Sequence, residues 1–406
     1  MYLTLEQQRI GQQNFWRTVG PELNPERMKL ETCVPRQFSG GAVRAGIVGV
    51  GSQGAALLSY CLPEFIDVVA ICDINPAHRA KACQGLAKGG WRQPREYTEW
   101  REMKEKEKLE MVIIATPLWT HAEIAVGFLE AGIHVFCEKM MAHDEEGCRQ
   151  MIAAAEKHHR HLEIGYPRFY DVLHTAMYKS IILPKLLGDI HFVRLFSHNN
   201  ESWRKHEQPP FPGFDPKPWG YPDWEHLMNW RMYDIYSRGL TAEWGSHITS
   251  FTDWFLGSTP ISVYGSGGIY HYKDGREVDD HLFITYDHPG GCKVELSLIL
   301  TNNFYGNFEE FIGSEGTVIF NDTSGLMYFP NESCASREGD KYKDLNLDPW
   351  NNFEIAFRTE IWNFCSAVRH GNPLNCGAAR GLSTVIGCLA GIKAARTRSR
   401  VAIETL

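Results

Sequence analysis

Glu243 and His247 form a pair whose residue types and spacing suit acid–base chemistry. They lie four positions apart in a stretch of helical composition, and side chains at that spacing share one face of a helix. Histidine titrates near neutral pH, so His247 could both take and return a proton. The carboxylate of Glu243 could orient the imidazole or bind a hydroxyl group. Spacing alone leaves a surface or helix-capping pair as the alternative.

The glycines of "GIVGVGSQG" have the spacing of a dinucleotide-binding turn. In such a turn Gly49 permits the bend, Gly51 admits the phosphates and Gly54 lets the following helix close on the strand. An apolar run precedes the glycines, and Ser52 and Gln53 begin a helical stretch after them. This context favours a phosphate-binding loop over an ordinary turn between a strand and a helix.

A second apolar run ends at Asp73, roughly twenty residues after the last glycine of the turn. An aspartate at this place accepts hydrogen bonds from both ribose hydroxyls and would repel a 2′-phosphate, which favours NAD over NADP. NADP stays open because His78 and Arg79 follow closely enough to meet a 2′-phosphate. A helix-capping aspartate is the other alternative.

Glu138 and Lys139 follow a predicted strand, His134 to Cys137. Open α/β sheets bind ligands at the carboxyl ends of their strands, where the ammonium group of Lys139 could hold a substrate oxygen or lower the pKa of a reacting hydroxyl. Glu138 is interpreted as a contact to the nicotinamide ribose or as a partner of Lys139. An ordinary solvated lysine is the alternative.

Short apolar runs alternate with helical stretches from Val43 to Gly165, which is typical of parallel βαβ units. Beyond Gly165, runs such as "IHFVRLF", "DHLFITYDH" and "CKVELSLIL" lie between glycine and asparagine turns and predict a mostly antiparallel sheet. We therefore predict an α/β protein with a Rossmann dinucleotide-binding domain at 42–165. An α/β domain with a large open sheet would follow at 166–406, its C-terminal helix able to pack back on the first domain, and 1–41 would be an N-terminal extension.

The composition is that of a globular protein, with 43% hydrophobic and 22% charged residues. A formal net charge of -8 argues against a nucleic-acid partner, and no apolar run is long enough to span a bilayer. The first forty residues lack a signal-peptide pattern, and the eleven cysteines lack zinc-ligand spacing, so we expect a cytoplasmic protein with reduced thiols and no metal. In the extension, Leu5, Ile10, Phe15 and Trp16 could form one apolar side of a helix.

A long segment at 199–239 is rich in Trp, Tyr, Pro and Gly. Loops of this length inside a compact domain are usually functional, and aromatic rings stack on the apolar faces of sugars, which predicts a substrate wall. A surface loop held by its own aromatic residues is the alternative.

Four segments resemble the Gfo/Idh/MocA family of sugar and cyclitol oxidoreductases, and the likeness extends over the chain from Val43 onward. They are the glycine turn with Asp73, "IIATPLWTHAEIA", "GIHVFCEKM" and "GLTAEWGSHITSFTDWFLG". Met140 stands where the family has proline after Glu-Lys, so the geometry next to Lys139 could differ. Glu243 stands where the family more often has aspartate, so its carboxylate reaches one methylene further.

The resemblance implies roles for residues at the matched positions. His247 would be the base, with Lys139 and Glu243 as the other catalytic groups. The residues that border the nicotinamide would be Thr116, Pro117 and His121, although the histidine could simply cap its helix. The residues near the substrate would be Tyr166, Arg168, Trp230, Arg231 and Tyr236. A structural hinge is the alternative for the first two of these, and core packing is the alternative for the last three.

We therefore expect an NAD-dependent dehydrogenase that acts on a secondary hydroxyl, or the corresponding ketone, of a sugar, glycoside or cyclitol. Some relatives in the family keep NAD bound, oxidise a ring hydroxyl, eliminate the glycosidic substituent, add water and return the hydride. Such an NAD-dependent glycosidase is the alternative, since the aromatic segment is large enough to enclose an aglycone. A sugar- or NAD-sensing regulator without turnover is the third hypothesis. The resemblance also implies a homo-oligomer.

Overall fold

The computed structural model describes residues 38–205, 213–321, 325–330, 343–344 and 349–404. The predicted helix of the N-terminal extension lies outside these residues, as does 206–212 of the aromatic segment. The described chain folds around two β-sheets.

The first sheet has six parallel strands in the order β3-β2-β1-β4-β5-β6. Its strands are β1 (Val43–Val48), β2 (Ile66–Cys72), β3 (Arg95–Tyr97), β4 (Met111–Ile114), β5 (His134–Glu138) and β6 (Leu162–Gly165). Most of their residues are buried, as expected for strands that are covered on both faces. The predicted Rossmann-type sheet is thereby confirmed, and its chain order reverses between β1 and β4.

Helices connect the strands of the first sheet. They are α1 (Ser52–Tyr60), α2 (Pro76–Lys88), α3 (Trp100–Lys106), α4 (His121–Glu130) and α5 (Glu145–Lys157). Local sequence explains where they begin. The side chain of Asn75 accepts a hydrogen bond from Ala77 at the start of α2, and Asp144 accepts one from Gly147 at the start of α5.

The second sheet has nine strands in the order β14-β13-β12-β11-β7-β10-β9-β8-β15. Its strands are β7 (Ile190–His198), β8 (Ser262–Gly268), β9 (His281–Asp287), β10 (Lys293–Ile299), β11 (Asn307–Gly313), β12 (Gly316–Asn321), β13 (Gly325–Pro330), β14 (Lys343–Asp344) and β15 (Val401–Ala402). Among the strands that the structure describes in this sheet, only β7 and β10 pair in parallel, so the prediction of a mostly antiparallel sheet is confirmed.

The remaining helices lie on the second sheet or between the two sheets. They are α6 (Val172–Met177), α7 (Trp224–Met228), α8 (Asp234–Ser237), α9 (Ser246–Leu256), α10 (Pro349–His370) and α11 (Ala378–Thr397). Helix α10 returns to the first sheet, where Ile361 and Phe364 join a buried cluster with residues of β1 and β2. The domain boundary between residues 165 and 166 therefore stays a prediction, because α10, near the end of the chain, completes the core around the first sheet.

No helix in the described part of the chain combines the length and apolar character needed to cross a bilayer. The nine cysteines in that part are all free thiols. The same residues contain no group of three His, Cys, Asp or Glu side chains placed to hold a metal ion.

Two fully buried carboxyl groups, Glu163 on β6 and Glu360 on α10, lie between the sheet and the returning helix. The Tyr170 hydroxyl hydrogen-bonds Glu163, and the same hydroxyl lies 3.0 Å from Oδ1 of Asn363. Burial raises the pKa of Glu163 to about 8, and burial together with Glu163 raises the pKa of Glu360. The folded chain therefore holds the Glu163 proton at pH values where the unfolded chain releases it.

We expect Glu163→Gln to make the protein more stable at alkaline pH without changing its stability at pH 5. Because the folded state binds the extra proton between the ordinary carboxyl pKa and about 8, wild-type stability falls as the pH rises through this window. Glutamine has no proton to lose, and the gain in Tm at pH 8.5 should be on the order of 3–5 °C. Thermal melts at pH 5 and pH 8.5 measure it, with the exposed Glu156→Gln as the matched control. A difference in Tm between Glu163→Gln and wild type that is the same at pH 5 and pH 8.5 would contradict the expectation.

Candidate active site

The glycine turn lies at the reversal of the first sheet, where open α/β folds bind ligands. Gly49 has φ +84°, and a Cβ at this position would lie 2.5 Å from the carbonyl oxygen of Ala115. A Cβ at Gly54 would lie 1.9 Å from the carbonyl oxygen of Gly49. Only glycine fits at both positions, so the turn brings the start of α1 close to the ends of β1 and β4.

The backbone N–H groups at the start of α1 could bind an anion. Gly51 is its N-cap and supplies no side-chain hydrogen bond, and the first turn contains no acidic residue. The backbone N–H groups of a helix start that lacks a capping side chain suit a pyrophosphate, and the helix dipole favours its charge. The turn therefore fits the NAD that the sequence predicts.

Asp73 holds the same turn from the end of β2. Its carboxylate accepts hydrogen bonds from the backbone N–H groups of Val50, at 2.9 Å, and Asn75, at 2.8 Å. His78 lies 3.2 Å from the same carboxylate, and Arg79 bonds the Asp73 carbonyl oxygen and lies 3.5 Å from Glu96. Both basic side chains are thus engaged within the protein, which leaves less support for a 2′-phosphate and favours NAD.

We expect Asp73→Ala to weaken NAD binding by about 10- to 100-fold, the effect of losing a charge-assisted acceptor. The affinity for NADP should fall less, because the repelling charge is removed along with the acceptor. Titration of both dinucleotides into wild type, Asp73→Ala and the neutral acceptor variant Asp73→Asn measures the three ratios. An unchanged preference for NAD over NADP in Asp73→Ala would show that another group discriminates between them.

Glu138, at the end of β5, links the turn to Lys139. Its carboxylate accepts hydrogen bonds from the Gln53 amide at 2.7 Å and from the Lys139 backbone N–H at 3.1 Å. Burial raises its pKa, against the opposing effects of Lys139 and Gln53. The peptide bond between Lys139 and Met140 is cis, although residue 140 is not proline.

Lys139 is a buried lysine that reaches across to the second sheet's domain. Its side chain is 14% exposed, which argues against the ordinary solvated lysine of the sequence-based alternative. Its Nζ donates to the backbone carbonyl of Glu243 at 2.6 Å and lies 3.8 Å from the Glu243 carboxylate. That carboxylate also accepts a hydrogen bond from Nε of Arg231 at 2.9 Å. Burial would raise the pKa of Glu243, but the charges of Lys139 and Arg231 outweigh it and hold the pKa below its usual value.

Glu243 and His247 do not share a regular α-helix. A π-helical turn, Thr241–Gly245, carries the glutamate and leads into α9, which carries the histidine. Among the described residues the two side chains form no hydrogen bond, because Glu243 faces Lys139 and Arg231 instead. The expectation that the carboxylate orients the imidazole therefore has no support in this geometry.

His247 is half-buried, with its ring edge-on to Tyr166 at 6.0 Å between centroids. Burial and the charges of Lys139 and Arg168 hold the pKa of His247 well below its usual value, so its ring is neutral at physiological pH. Neither ring nitrogen has a hydrogen-bond partner among the described residues. A neutral imidazole with a free acceptor nitrogen is the form that a proton-accepting group requires.

His121 opens α4 but does not present its ring to a ligand. Its Nδ1 and Nε2 lie 2.9 Å from the carbonyl oxygens of Met140 and Thr116. The side chain is buried, and burial lowers its pKa. His121 thus ties the loop after β4, which holds Thr116 and Pro117, to the segment after β5 that carries Lys139.

Tyr166 and Arg168 lie in the core, which favours the hinge alternative for both. Tyr166 is fully buried beneath His247. Arg168 is 6% exposed, and its guanidinium lies 3.2 Å from Glu309 on β11. Glu309 in turn lies 2.9 Å from His174, so Arg168 belongs to a buried ionic cluster behind the site.

The described part of the aromatic segment packs against the first domain. Trp119, in the loop after β4, donates a hydrogen bond from Nε1 to the Tyr221 hydroxyl at 2.9 Å and packs on Tyr236. Tyr236 is 5% exposed and donates from its hydroxyl to the Gly220 carbonyl, which favours the core-packing alternative for this residue. Arg231 lies at the site through its bond to Glu243, and its guanidinium lies 4.5 Å from the centre of the Trp230 ring. Trp230 also packs against the hydrophobic core, which favours the core-packing alternative for this residue.

Sequence reasoning did not assign two residues that the structure brings to this region, Trp119 and Lys205. Trp119 stands inside the quoted "IIATPLWTHAEIA", where a large aromatic residue directly after a strand was a usable signal. Lys205 stands in the aromatic segment, and its backbone N–H donates to Oδ1 of Asn229, two residues before Arg231. Nothing in the local sequence indicates that contact, because it joins positions 24 residues apart.

Two family models match the chain. The model described as "Oxidoreductase family, NAD-binding Rossmann fold" (GFO_IDH_MocA) matches residues 43–166. The model described as "GFO/IDH/MocA C-terminal domain" matches residues 178–319. The two matches contain the glycine turn, Lys139, Glu243 and His247.

Curated relatives carry glycosidase names. The chain is 29% identical over 178 residues to Glycosyl hydrolase family 109 protein 1 of Shewanella sp. and equally to an alpha-N-acetylgalactosaminidase of Shewanella oneidensis. Each match covers 40% of this chain and 39% of the relative. The chain thus spans about two fifths of the length of these relatives.

Solved structures share the fold at low identity. The WlbA dehydrogenase of Bordetella pertussis, in complex with NADH and UDP-GlcNAcA, has a TM-score of 0.68 at 18% identity, covering 90% of this chain and 100% of that one. Myo-inositol 2-dehydrogenase of Lactobacillus plantarum has a TM-score of 0.69 at 19% identity, covering 89% and 100%. At these identities the likeness shows the fold alone.

Proposed function

Because the chain belongs to the Gfo/Idh/MocA family of NAD-binding oxidoreductases, we propose that it transfers a hydride between NAD and a secondary hydroxyl, or the corresponding ketone, of a sugar, glycoside or cyclitol. The observation that carries the proposal is the imidazole of His247. It has no hydrogen-bond partner among the described residues, and burial together with the charge of Lys139 keeps it neutral. When bound, NAD supplies the hydride acceptor. The sugar-type substrate is supported by neighbours of the same fold that bind or are named for a sugar nucleotide and an inositol.

Each site residue has a separate task in the proposal. His247 takes the proton of the reacting hydroxyl. Lys139 steadies the substrate oxygen as it becomes a carbonyl, and its bond to the Glu243 backbone fixes the ammonium group in place. Glu243 anchors Lys139 and Arg231 from one carboxylate. His121 holds the loop and the segment between which Lys139 emerges.

An NAD-dependent glycosidase is the second candidate function. It is favoured by the names of the relatives, which are glycosyl hydrolases, and by the Trp119 cluster, which holds the aromatic segment beside the site. In that reaction a base removes the proton from the carbon next to the oxidised carbon, and the glycosidic substituent then leaves. The same His247 and Lys139 would serve both candidates.

One experiment separates these functions. The purified protein is incubated with NAD and a panel of free sugars, cyclitols and aryl glycosides, while reduced nicotinamide and released aglycone are recorded together. Reduced nicotinamide that accumulates without aglycone supports the dehydrogenase. Aglycone release that depends on NAD, without net reduction, supports the glycosidase. Binding of NAD with neither signal on any compound would contradict both and favour a sensor.

We also propose a homo-oligomer formed through the open face of the second sheet. The exposed aromatic residues Tyr264 and Phe283 lie on neighbouring strands of that face, at 56% and 48% exposure. Apolar surface of this kind is usually covered by a partner. Light scattering after size-exclusion chromatography tests the proposal, and a single species of 46.3 kDa would contradict it. The free thiols support a cytoplasmic location as a further proposal.

A further inference from the structure

The site holds more positive than negative side chains. Lys139 and Arg231 share the single carboxylate of Glu243. Lys205, whose backbone bonds Asn229 two residues before Arg231, has no acidic partner among the described residues. Among the residues that the structure describes, Glu138 is the one other carboxylate that contacts this group, through the backbone of Lys139, and burial raises its pKa. Even with both carboxylates ionised, the described side chains of the group carry one positive charge more than negative.

Lys205 is fixed near Arg231 by its backbone. Its N–H donates to Oδ1 of Asn229 at 2.7 Å, while Asn229 is itself buried and donates from its side chain to Glu225. The Lys205 side chain is exposed, and desolvation together with the charge of Arg231 lowers its pKa, as expected for two neighbouring cations. Like charges are held together only at a cost, which an anion between them would remove.

Arg231 has donors to spare. Its Nε bonds Glu243, its guanidinium lies over the Trp230 ring, and its remaining N–H groups have no partner among the described residues. The side chain is 38% exposed, so these donors face an accessible space. A planar guanidinium with two parallel free N–H groups matches the oxygens of a carboxylate or phosphate.

Two other arginines that lie over aromatic rings are buried, unlike Arg231, with side chains that are 0% and 7% exposed. Arg276 lies over Tyr272 and is paired with Asp274 at 2.7 Å. Arg168 lies over Phe251 and is paired with Glu309 at 3.2 Å. The guanidinium of Arg231 therefore differs from these two in being accessible while it is paired with a carboxylate.

We infer that the sugar substrate carries an anionic group, a carboxylate or a phosphate, which Arg231 and Lys205 bind. This inference rests on the proposed function, which gives the sugar-type substrate, and adds that the substrate is negatively charged. Arg231 would recognise the anionic group with the two terminal nitrogens of its guanidinium, and Lys205 would attract it by its charge. A neutral sugar would leave the remaining N–H groups of Arg231 and the ammonium group of Lys205 without an anion to bind.

Paired ligands test the inference by binding as well as by turnover. The NAD-saturated protein is titrated by calorimetry with glucuronate, galacturonate and glucose 6-phosphate, and with neutral glucose and galactose. We expect at least one anionic sugar to bind about tenfold more tightly than its neutral partner, a gain that 0.5 M NaCl reduces. Uronate and phosphate arms distinguish the two anion chemistries. Anionic sugars that bind no better than neutral ones would overturn the inference.

Two variants assign the charge to its residues. Lys205→Met should weaken the preferred anionic sugar about five- to tenfold and leave neutral sugars unchanged. Lys217→Met, an exposed lysine of the same segment, is the matched control and should change neither. Equal losses for anionic and neutral sugars in Lys205→Met would overturn the assignment. Tight, salt-sensitive binding of an anionic sugar without reduced nicotinamide or released product would support the inference and contradict the proposed function.

Discussion

We expect His247→Ala to lower kcat by about 10²- to 10⁴-fold while NAD binds as in wild type, because the variant lacks the group that takes the hydroxyl proton. The loss should be confined to turnover, since His247 lies on α9 and Glu138, Gln53 and Asp73 of the cofactor turn are untouched. Steady-state kinetics and a dinucleotide titration measure the two parts. Added imidazole should restore part of the rate, which a purely structural role would not allow.

The pH dependence of kcat/KM is a second test of the role of His247. Burial, Lys139 and Arg168 hold the pKa of His247 well below its usual value, so protonation should not slow wild-type kcat/KM anywhere above pH 6.5. His191→Ala, which removes an exposed imidazole at the start of β7, is the control and should keep the wild-type rate. A wild-type rate in His247→Ala would show that the base is another group.

The cofactor half of this site could be read from the sequence because its signals are local. Gly49 has a positive φ and Gly54 faces the Gly49 carbonyl within the same turn, although Gly49 also meets Ala115 after β4. Asp73 is placed by one βαβ unit. Each of these positions is set by backbone geometry that few residue types satisfy, so the residue type reveals the position.

The substrate half depends on contacts between distant residues, which no local pattern indicates. Arg168 pairs with Glu309 across 141 positions, and this pairing withdraws it from the site. The π-helical turn at Thr241–Gly245 redirects Glu243 away from His247, although their spacing predicts a shared face. The long aromatic segment could be assigned to the site by composition, whereas the packing of Trp119 on Tyr236 had to be seen in three dimensions.

Lys139→Met should lower kcat by about 10²- to 10³-fold, the effect of removing one donor that stabilises charge on a reacting oxygen. Methionine keeps much of the stem and the packing, so the 14% exposed side chain leaves no large cavity. Lys139→Arg keeps the charge but not the compact ammonium group that fits the Glu243 carbonyl, and should retain an intermediate rate. The exposed Lys157→Met controls for loss of a lysine elsewhere.

Removing the Lys139 charge should also raise the pKa values of His247 and Glu243. The pKa of His247 is held down partly by Lys139, so in Lys139→Met it rises and the acid limb of the residual kcat/KM moves to higher pH. The pKa of Glu243 is held down by Lys139 and Arg231 against burial, so it rises as well and weakens the anchor for Arg231. Lys139→Arg preserves the charge and should leave the acid limb in place. A rate loss with an unmoved acid limb in Lys139→Met would mean that the lysine acts on the substrate oxygen alone, and that the charge felt by the base comes from Arg168.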